Sequence, residues 1–286
     1  MKNKSINQNN SLARAHRIGT RIALAAFGLL LFETCTPHAL GWGITWSDEF
    51  TGANSGAQPW VGNWQYELYT GGNNGEVQTY VNSWANSHMV WDGTGTDSQA
   101  LQIEAQTDTG NQWGHWYSAR IDSNWHNGGG HTFGTGTYLE FRCKFPNAGK
   151  GYWPACWCLG TTGGNWPANG EIDVAESANN TEGNWQTLHM PGWNPGTFES
   201  IGDATTAYHD YGVWIQGDGS YINFVLDGNT QQTIYRGGGG TWEFNPGRQF
   251  YIIINLAIGS GGFAGPVDGS TQDNGNFDID YVRQWN

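Results

Sequence analysis

The amino-acid sequence predicts an all-β, single-domain sandwich between residues 42 and 286, and three observations carry that expectation. Many short runs alternate apolar with polar residues and close on Gly, Asn or Asp, the pattern of half-buried strands. Helical periodicity is almost absent from the same span. Gly-rich stretches at 71–75, 128–130, 237–240 and 259–262 have no fixed period, so they read as loops and turns rather than repeats. About 245 residues is within the range of one all-β domain, and no Pro/Ser-rich or charge-run linker divides them.

In chain order, the clearest alternating runs are Leu101 to Ala105, Thr137 to Phe145, Tyr221 to Leu226 and Phe250 to Ala257. Leu226-Asp227-Gly228-Asn229 sets a turn dipeptide directly after such a run, which signals a β-hairpin. Trp46, Trp214 and Trp285 are assigned to the core. Cys143, Cys156 and Cys158 read as buried small hydrophobes, and strand alternation places Cys156 and Cys158 on one face of their strand.

The residues ahead of the domain have a different character. Lys2, Lys4, Arg14, Arg17 and Arg21 precede an eleven-residue apolar run from Ile22 to Phe32, the profile of a secretory signal. A membrane-spanning helix needs roughly 18 or more apolar residues. Small residues at Ala39 and Gly41 place the mature start near Trp42, so residues 1–41 are expected to be a signal peptide and the protein secreted or periplasmic. A lipoprotein cut ahead of Cys35 is the alternative, although Phe32, Glu33 and Thr34 replace the small residues that lipidation favours. Removing five of the 12 basic and one of the 25 acidic residues leaves 7 against 24, a net charge of −17. Such a balance argues against a nucleic-acid partner.

The chemistry-bearing segment is Gly170-Glu171-Ile172-Asp173-Val174-Ala175-Glu176. In a regular strand Glu171 and Asp173 share a face while Ile172 and Val174 point into the opposite layer. Glu176 then points the wrong way, and only a β-bulge around Val174 or Ala175 returns it to the others. Three like charges on one strand face repel, so a chain with few charges has no structural reason to gather them. Glycoside hydrolysis supplies one: a carboxylate attacks the anomeric carbon while a second, protonated, serves the leaving oxygen. A separation of about 5–5.5 Å between the two means retention of configuration. Asp173, between the glutamates, raises the pKa of a neighbour by like charge and is placed to orient Glu171.

These residues resemble glycoside hydrolase family 16, whose E-x-D-x-x-E motif marks the bulged branch holding laminarinases, agarases, porphyranases and carrageenases. The flanks agree in order: Trp46-Ser47-Asp48-Glu49-Phe50, Asn74-Gly75-Glu76-Val77-Gln78-Thr79-Tyr80, Tyr117-Ser118-Ala119-Arg120-Ile121 and the run from Gly151 to Gly160. His209-Asp210-Tyr211-Gly212, Asn255-Leu256-Ala257-Ile258-Gly259 and Asp280-Tyr281-Val282-Arg283 continue the series. Cys156 and Cys158 depart from it, standing where larger apolar residues are usual. The resemblance implies a β-jelly-roll of two curved antiparallel sheets with a concave substrate cleft. It also implies Glu171 as nucleophile, Asp173 as helper and Glu176 as acid/base.

Substrate contacts are expected from aromatic and polar residues near this segment. The chain holds 17 Trp, more than a core of this size needs, because each indole N–H wants a partner. Trp153, Trp166, Trp193 and Trp125 are expected to stack on sugar rings. Arg120, Asn74 and Glu76 are expected to hydrogen-bond sugar hydroxyls, with a surface ion pair as the other reading of Arg120. His189 is expected beside Glu176 on the next strand, as in the family. No catalytic metal is needed; a structural calcium ion is implied by the resemblance, at Glu49 and Asp280. Sulfated galactans want a basic cleft, and only seven Lys and Arg remain in the mature chain. A β-1,3- or mixed β-1,3/1,4-glucan is therefore favoured, with neutral agarose and a non-catalytic glucan-recognition protein as alternatives. The protein is expected to act as a monomer.

Overall fold

The alternating runs become strands in a computed structural model, which describes residues 41–93, 97–123, 130–259 and 261–286. The expected signal peptide, Cys35 included, and Trp125 lie outside the described residues. The strands are β1 Ile44–Asp48, β2 Gln65–Tyr66, β3 Thr79–Tyr80, β4 Ser87–Trp91, β5 Gln99–Thr107 and β6 Trp116–Ser118. There follow β7 Arg120–Asp122, β8 Thr137–Lys144, β9 Tyr152–Gly160, β10 Glu171–Glu176, β11 Gly183–His189 and β12 Gly196–Ser200. The last are β13 His209–Ile215, β14 Tyr221–Leu226, β15 Asn229–Tyr235, β16 Phe250–Ile258 and β17 Gly275–Trp285. Each of the four runs chosen from the sequence lies on one strand, to within two residues at either end.

The strands make two sheets. One has ten strands, with β15-β14-β13-β8-β17-β5-β6-β3 as its path; the other runs β12-β11-β10-β9-β16-β7-β2. All pairings are antiparallel except β3 with β6. The expected hairpin joins β14 to β15, with Leu226 opposite Asn229. Asp227 and Gly228 have φ of 48° and 75°, the left-handed pair that a two-residue hairpin turn requires.

Alternation decides what each sheet buries. On β8, Leu139, Phe141 and Cys143 enter the core between the sheets, and β9 sends Tyr152, Cys156 and Cys158 to meet them. All three cysteines are free and buried, and Cys156 and Cys158 do share a face. Trp46 packs on the edge of this core. Trp214 and Trp285 are buried elsewhere. Both sit opposite Tyr138 in register, on the outer face of the ten-stranded sheet, in a cluster of their own.

The outer face of that sheet also carries Glu49 and Asp280. Their side chains do not converge on a cation site: Glu49 is held by Arg283 at 2.7 Å and Asp280 by Arg142 at 3.1 Å. A carboxylate already neutralised by a guanidinium is a poor calcium ligand, so these side chains do not fit the expected ion.

Candidate active site

The site is built on β10, whose two faces have opposite tasks. Ile172, Val174 and Ala175 are fully buried in the core, and a fully buried side chain the size of Val or Ile contributes roughly 1.5–3 kcal/mol. That anchorage offsets the crowding of Glu171, Asp173 and Glu176 on the other face. Gly170, at φ 80°, turns the chain into the strand, and a Cβ there would stand 3.1 Å from that of Glu243.

The bulge is present. Against β9, Asp173 pairs with Trp157 and Ala175 with Cys156, so Val174 is the extra residue; against β11 the register breaks between Asp173 and Glu176. Two β11 side chains, both buried, take up the polar groups that the bulge leaves out of the ladder. Asn184 Oδ1 accepts the Glu176 N–H at 2.8 Å, and Gln186 Nε2 donates to the Val174 carbonyl at 2.9 Å. Each such group left unmatched in the core costs about 1–3 kcal/mol. Nothing in the sequence reading singled out Asn184 or Gln186.

All three carboxyls line one open cleft of about 1140 Å³, above the range of about 300–1,000 Å³ that suits drug-sized ligands and roomy enough for part of a polymer. Trp166 Nε1 donates to Glu171 Oε2 at 3.1 Å, and Trp153 Nε1 donates to Glu176 Oε1 at 2.8 Å. His189 differs from expectation. It pairs in register with Glu171, and its Nε2 lies 3.0 Å from Asp173 and 3.7 Å from Glu171, whereas the residue opposite Glu176 is Trp185. A one-residue bulge does not account for this: Glu176 faces Trp185 here and would face Asn184 if the Glu171–His189 register ran on without it, so His189 stands at the Glu171 end of the strand in either case. Glu171, Asp173 and His189 are the group of three metal-ligating side chains that converges among the described residues.

Burial governs the ionisation of the carboxyls. Removal from water, with the charge of Asp173 adding to it, pushes Glu171 up to about 8. The same two causes push Glu176 up to about 8, and burial pushes Asp173 up to about 7. His189 and the indole N–H groups of Trp166 and Trp153 oppose the rise at the glutamates. A coupled set of this kind holds a proton at neutral pH, which one carboxyl can give while another acts as a base.

The expected substrate contacts divide. Trp153, Trp166, Asn74, Glu76, Arg120 and His189 all line the cleft. Arg120 is also an ion pair, with its Nε 2.9 Å from Glu67 and its guanidinium over the rings of Trp157 and Tyr69. Trp193 does not line the cleft. It packs against the core and beneath Gly238 to Gly240, glycines that leave room for its indole.

Other cleft residues escaped the sequence reading. Trp157 follows from alternation with Cys156 and Cys158 and was legible, as was Trp185, two residues from Thr187 and four from His189 on β11. Phe263, in the loop after β16, carries no signal.

Comparison with known proteins adds to this geometry. A family model described as "XgeA-like, catalytic GH16 domain" matches residues 64–207. The chain is 29% identical to a glucan endo-1,3-beta-glucosidase of Cryptopygus antarcticus, across 91% of this chain and 97% of that one. It is 30% identical to glucan endo-1,3-beta-glucosidase A1 of Niallia circulans, covering 86% of this chain and 38% of the relative. The crystal structure of an endo-1,3-beta-glucanase from Streptomyces sioyaensis superposes with a TM-score of 0.72 at 26% identity, over 86% of this chain and 96% of that one.

Proposed function

The chain belongs to glycoside hydrolase family 16, and from that premise we propose that it is a retaining endo-β-1,3-glucanase acting on internal linkages of laminarin-type or mixed β-1,3/1,4-glucans. The observation that carries the reading is the bulge at Val174, which brings Glu171, Asp173 and Glu176 to one face of an open cleft. Glu171 attacks the anomeric carbon and Glu176 gives its proton to the departing oxygen. Water then attacks the glycosyl ester, Glu176 takes the proton back, and Glu171 leaves as carboxylate. Asp173, 3.0 Å from His189, holds charge beside both glutamates and passes position to Glu171 through that imidazole.

A neutral glucan suits the walls. Arg120 is the sole Lys or Arg among the residues lining the cleft, and Glu67 already engages it. A sulfated chain would meet carboxylates instead of cations. The relatives named for endo-1,3-glucan hydrolysis point to the same substrate. The active unit in this reading is a monomer, which size-exclusion chromatography with light scattering would check. Residues 1–41 serve for export, on the basis of the basic segment and the short apolar run; N-terminal sequencing of secreted protein should begin near Trp42.

The stereochemistry of the first product tests the mechanism. Proton NMR of fresh laminarin digests should show the β-anomer first, and azide should rescue Glu171→Ala as an α-glycosyl azide. Initial release of the α-anomer would overturn the assignment of Glu171.

A further inference from the structure

The sheet that holds the catalytic strand offers its residues in rows as well as along strands. One row is read directly from the registers: Arg120 faces Asn255, which faces Ala155, then Glu176, Trp185 and finally Phe198. Residues directly opposite in adjacent strands share a face, so all six belong to the face that bears the cleft. The row changes character at Glu176. On one side stand hydrogen-bonding groups: Arg120, Asn255 and, through Asn255 Nδ2 at 3.1 Å, the Tyr80 hydroxyl. On the other side stand rings.

Those rings form a continuous surface. The Trp185 ring lies 4.5 Å from Phe198 and 5.0 Å from Phe263, and Phe263 lies 5.3 Å from Trp153, whose N–H holds Glu176. Phe263, 38% exposed, leans over the cleft, and Phe198, 46% exposed, stands beyond it on the outermost strand β12. Even with Trp185 beside it, the Phe198 ring keeps nearly half its surface in water on this edge strand, and water contact over so large an apolar ring is unfavourable. The face of a β-linked sugar ring, with its axial C–H bonds, packs on such surfaces while its hydroxyls stay in water.

We propose that Trp185, Phe263 and Phe198 form an outer binding platform for the leaving-group arm of the glucan, the units that depart on the reducing-end side of the cut. Glu171 and Glu176 both stand on β10 with neighbours on either side, so the carboxyls alone do not set the direction; the assignment places the hydrogen-bonding groups Arg120 and Asn255 around the unit under attack and the rings beyond Trp185 around the units that depart. Two strand spacings, about 10 Å, separate Phe198 from Glu176, which places Phe198 past the first departing unit. Phe198 is then a specificity-determining residue for chain length. The inference rests on the glucanase reading and adds to it a polarity of binding.

Laminari-oligosaccharides labelled with 18O at the reducing end, digested and sorted by mass, locate each cut relative to both ends. Wild-type protein should favour cuts that leave several units on the reducing-end side. Phe198→Ala should lower kcat/KM for laminariheptaose about tenfold, equivalent to one lost stacking contact, with the loss shrinking as units are removed from that end. Phe198→Trp should restore the pattern, and circular dichroism should show both variants folded. Trp113→Ala, at an exposed indole on the β5–β6 turn, should leave the pattern as it is. Unchanged cut positions in Phe198→Ala, or a shift confined to the non-reducing-end side, would overturn the platform while leaving the glucanase reading intact. Failure of the wild type to cut any laminari-oligosaccharide would overturn both.

Discussion

The two sheets treat acidic side chains in opposite ways. On the outer face of the ten-stranded sheet four carboxylates have a cation: Arg142 serves Asp210 and Asp280, Lys144 lies 3.0 Å from Asp278, and Arg283 grips Glu49. In the cleft, Glu171, Asp173 and Glu176 have indole N–H groups and one imidazole, and the nearby guanidinium of Arg120 is held by Glu67. Three of the seven basic residues from 42 onward thus stabilise the outer face, and none pairs with the catalytic group. The difference shows what the site needs. Pairing fixes a carboxylate as an anion, whereas burial without pairing keeps a proton within reach of neutral pH.

The contrast is broken most severely by removing one acid. Glu171→Gln should reduce laminarin hydrolysis by more than about 10³-fold, yet it should raise the melting temperature at pH 8. An acid whose folded pKa lies above its unfolded value contributes stability that is full below the unfolded value and lost as pH rises through the folded one. For Glu171 that window runs from 4.5 to about 8. Calorimetry across it should show wild-type stability falling relative to the variant, and parallel curves would contradict the burial argument.

Importing the outer-face solution should have the next largest effect on catalysis. Thr187 lines the cleft opposite Asp173, and Thr187→Lys would place an ammonium beside the group. Glu176 would then lose its proton at lower pH, so the alkaline limb of the kcat/KM profile should move down by about one unit or more. A one-unit fall from about 8 lowers the protonated fraction of Glu176 at pH 7.5 about threefold, so activity should drop by at least that much, with a smaller loss at pH 5.5. An equal loss at both pH values would indicate a steric effect alone.

The reverse exchange is a stability experiment. Arg142→Met removes the guanidinium 3.1 Å from Asp280, which is 1% exposed, and losing one member of such a buried pair costs about 3 kcal/mol. Urea denaturation should show that loss while the pH–rate profile keeps its shape. The smallest effect belongs to His209, 2.8 Å from Asp227 and 3.1 Å from Asp203, where the Asp227 hydrogen bond raises the imidazole pKa. Its contribution is present below the unfolded value of 6.5 and lost as pH rises through the folded one. His209→Asn should flatten stability between pH 6 and 8 by under about 1 kcal/mol, since both carboxylates are half-exposed.

The sequence revealed the parts of this molecule that depend on local pattern. Alternation located β5, β8, β14 and β16, the Asp-Gly dipeptide located a hairpin, and the odd spacing of Glu176 demanded a bulge that the structure has at Val174. What it missed depends on register between strands. The partner of His189 was misplaced because the β10–β11 connection sets which end of β10 that residue faces, and no single-strand pattern records it. Trp193 near the catalytic segment in sequence and Phe263 far from it exchanged places for a related reason: loop conformation, set by glycines such as Gly238 to Gly240, decides which ring reaches the cleft. The indoles of Trp214 and Trp285 pack outside the sandwich because both faces of the larger sheet carry aromatic residues.

The row from Arg120 to Phe198 has a bearing on how such a protein diversifies. Each of its six positions comes from a different strand, and on every one of those strands the residues that hold the fold lie between the positions that meet the ligand. Recognition of successive units along a polymer is thereby written one strand at a time, so that a single exchange edits one unit's fit and leaves the packing beneath it, and its neighbours' specificity, to be inherited unchanged.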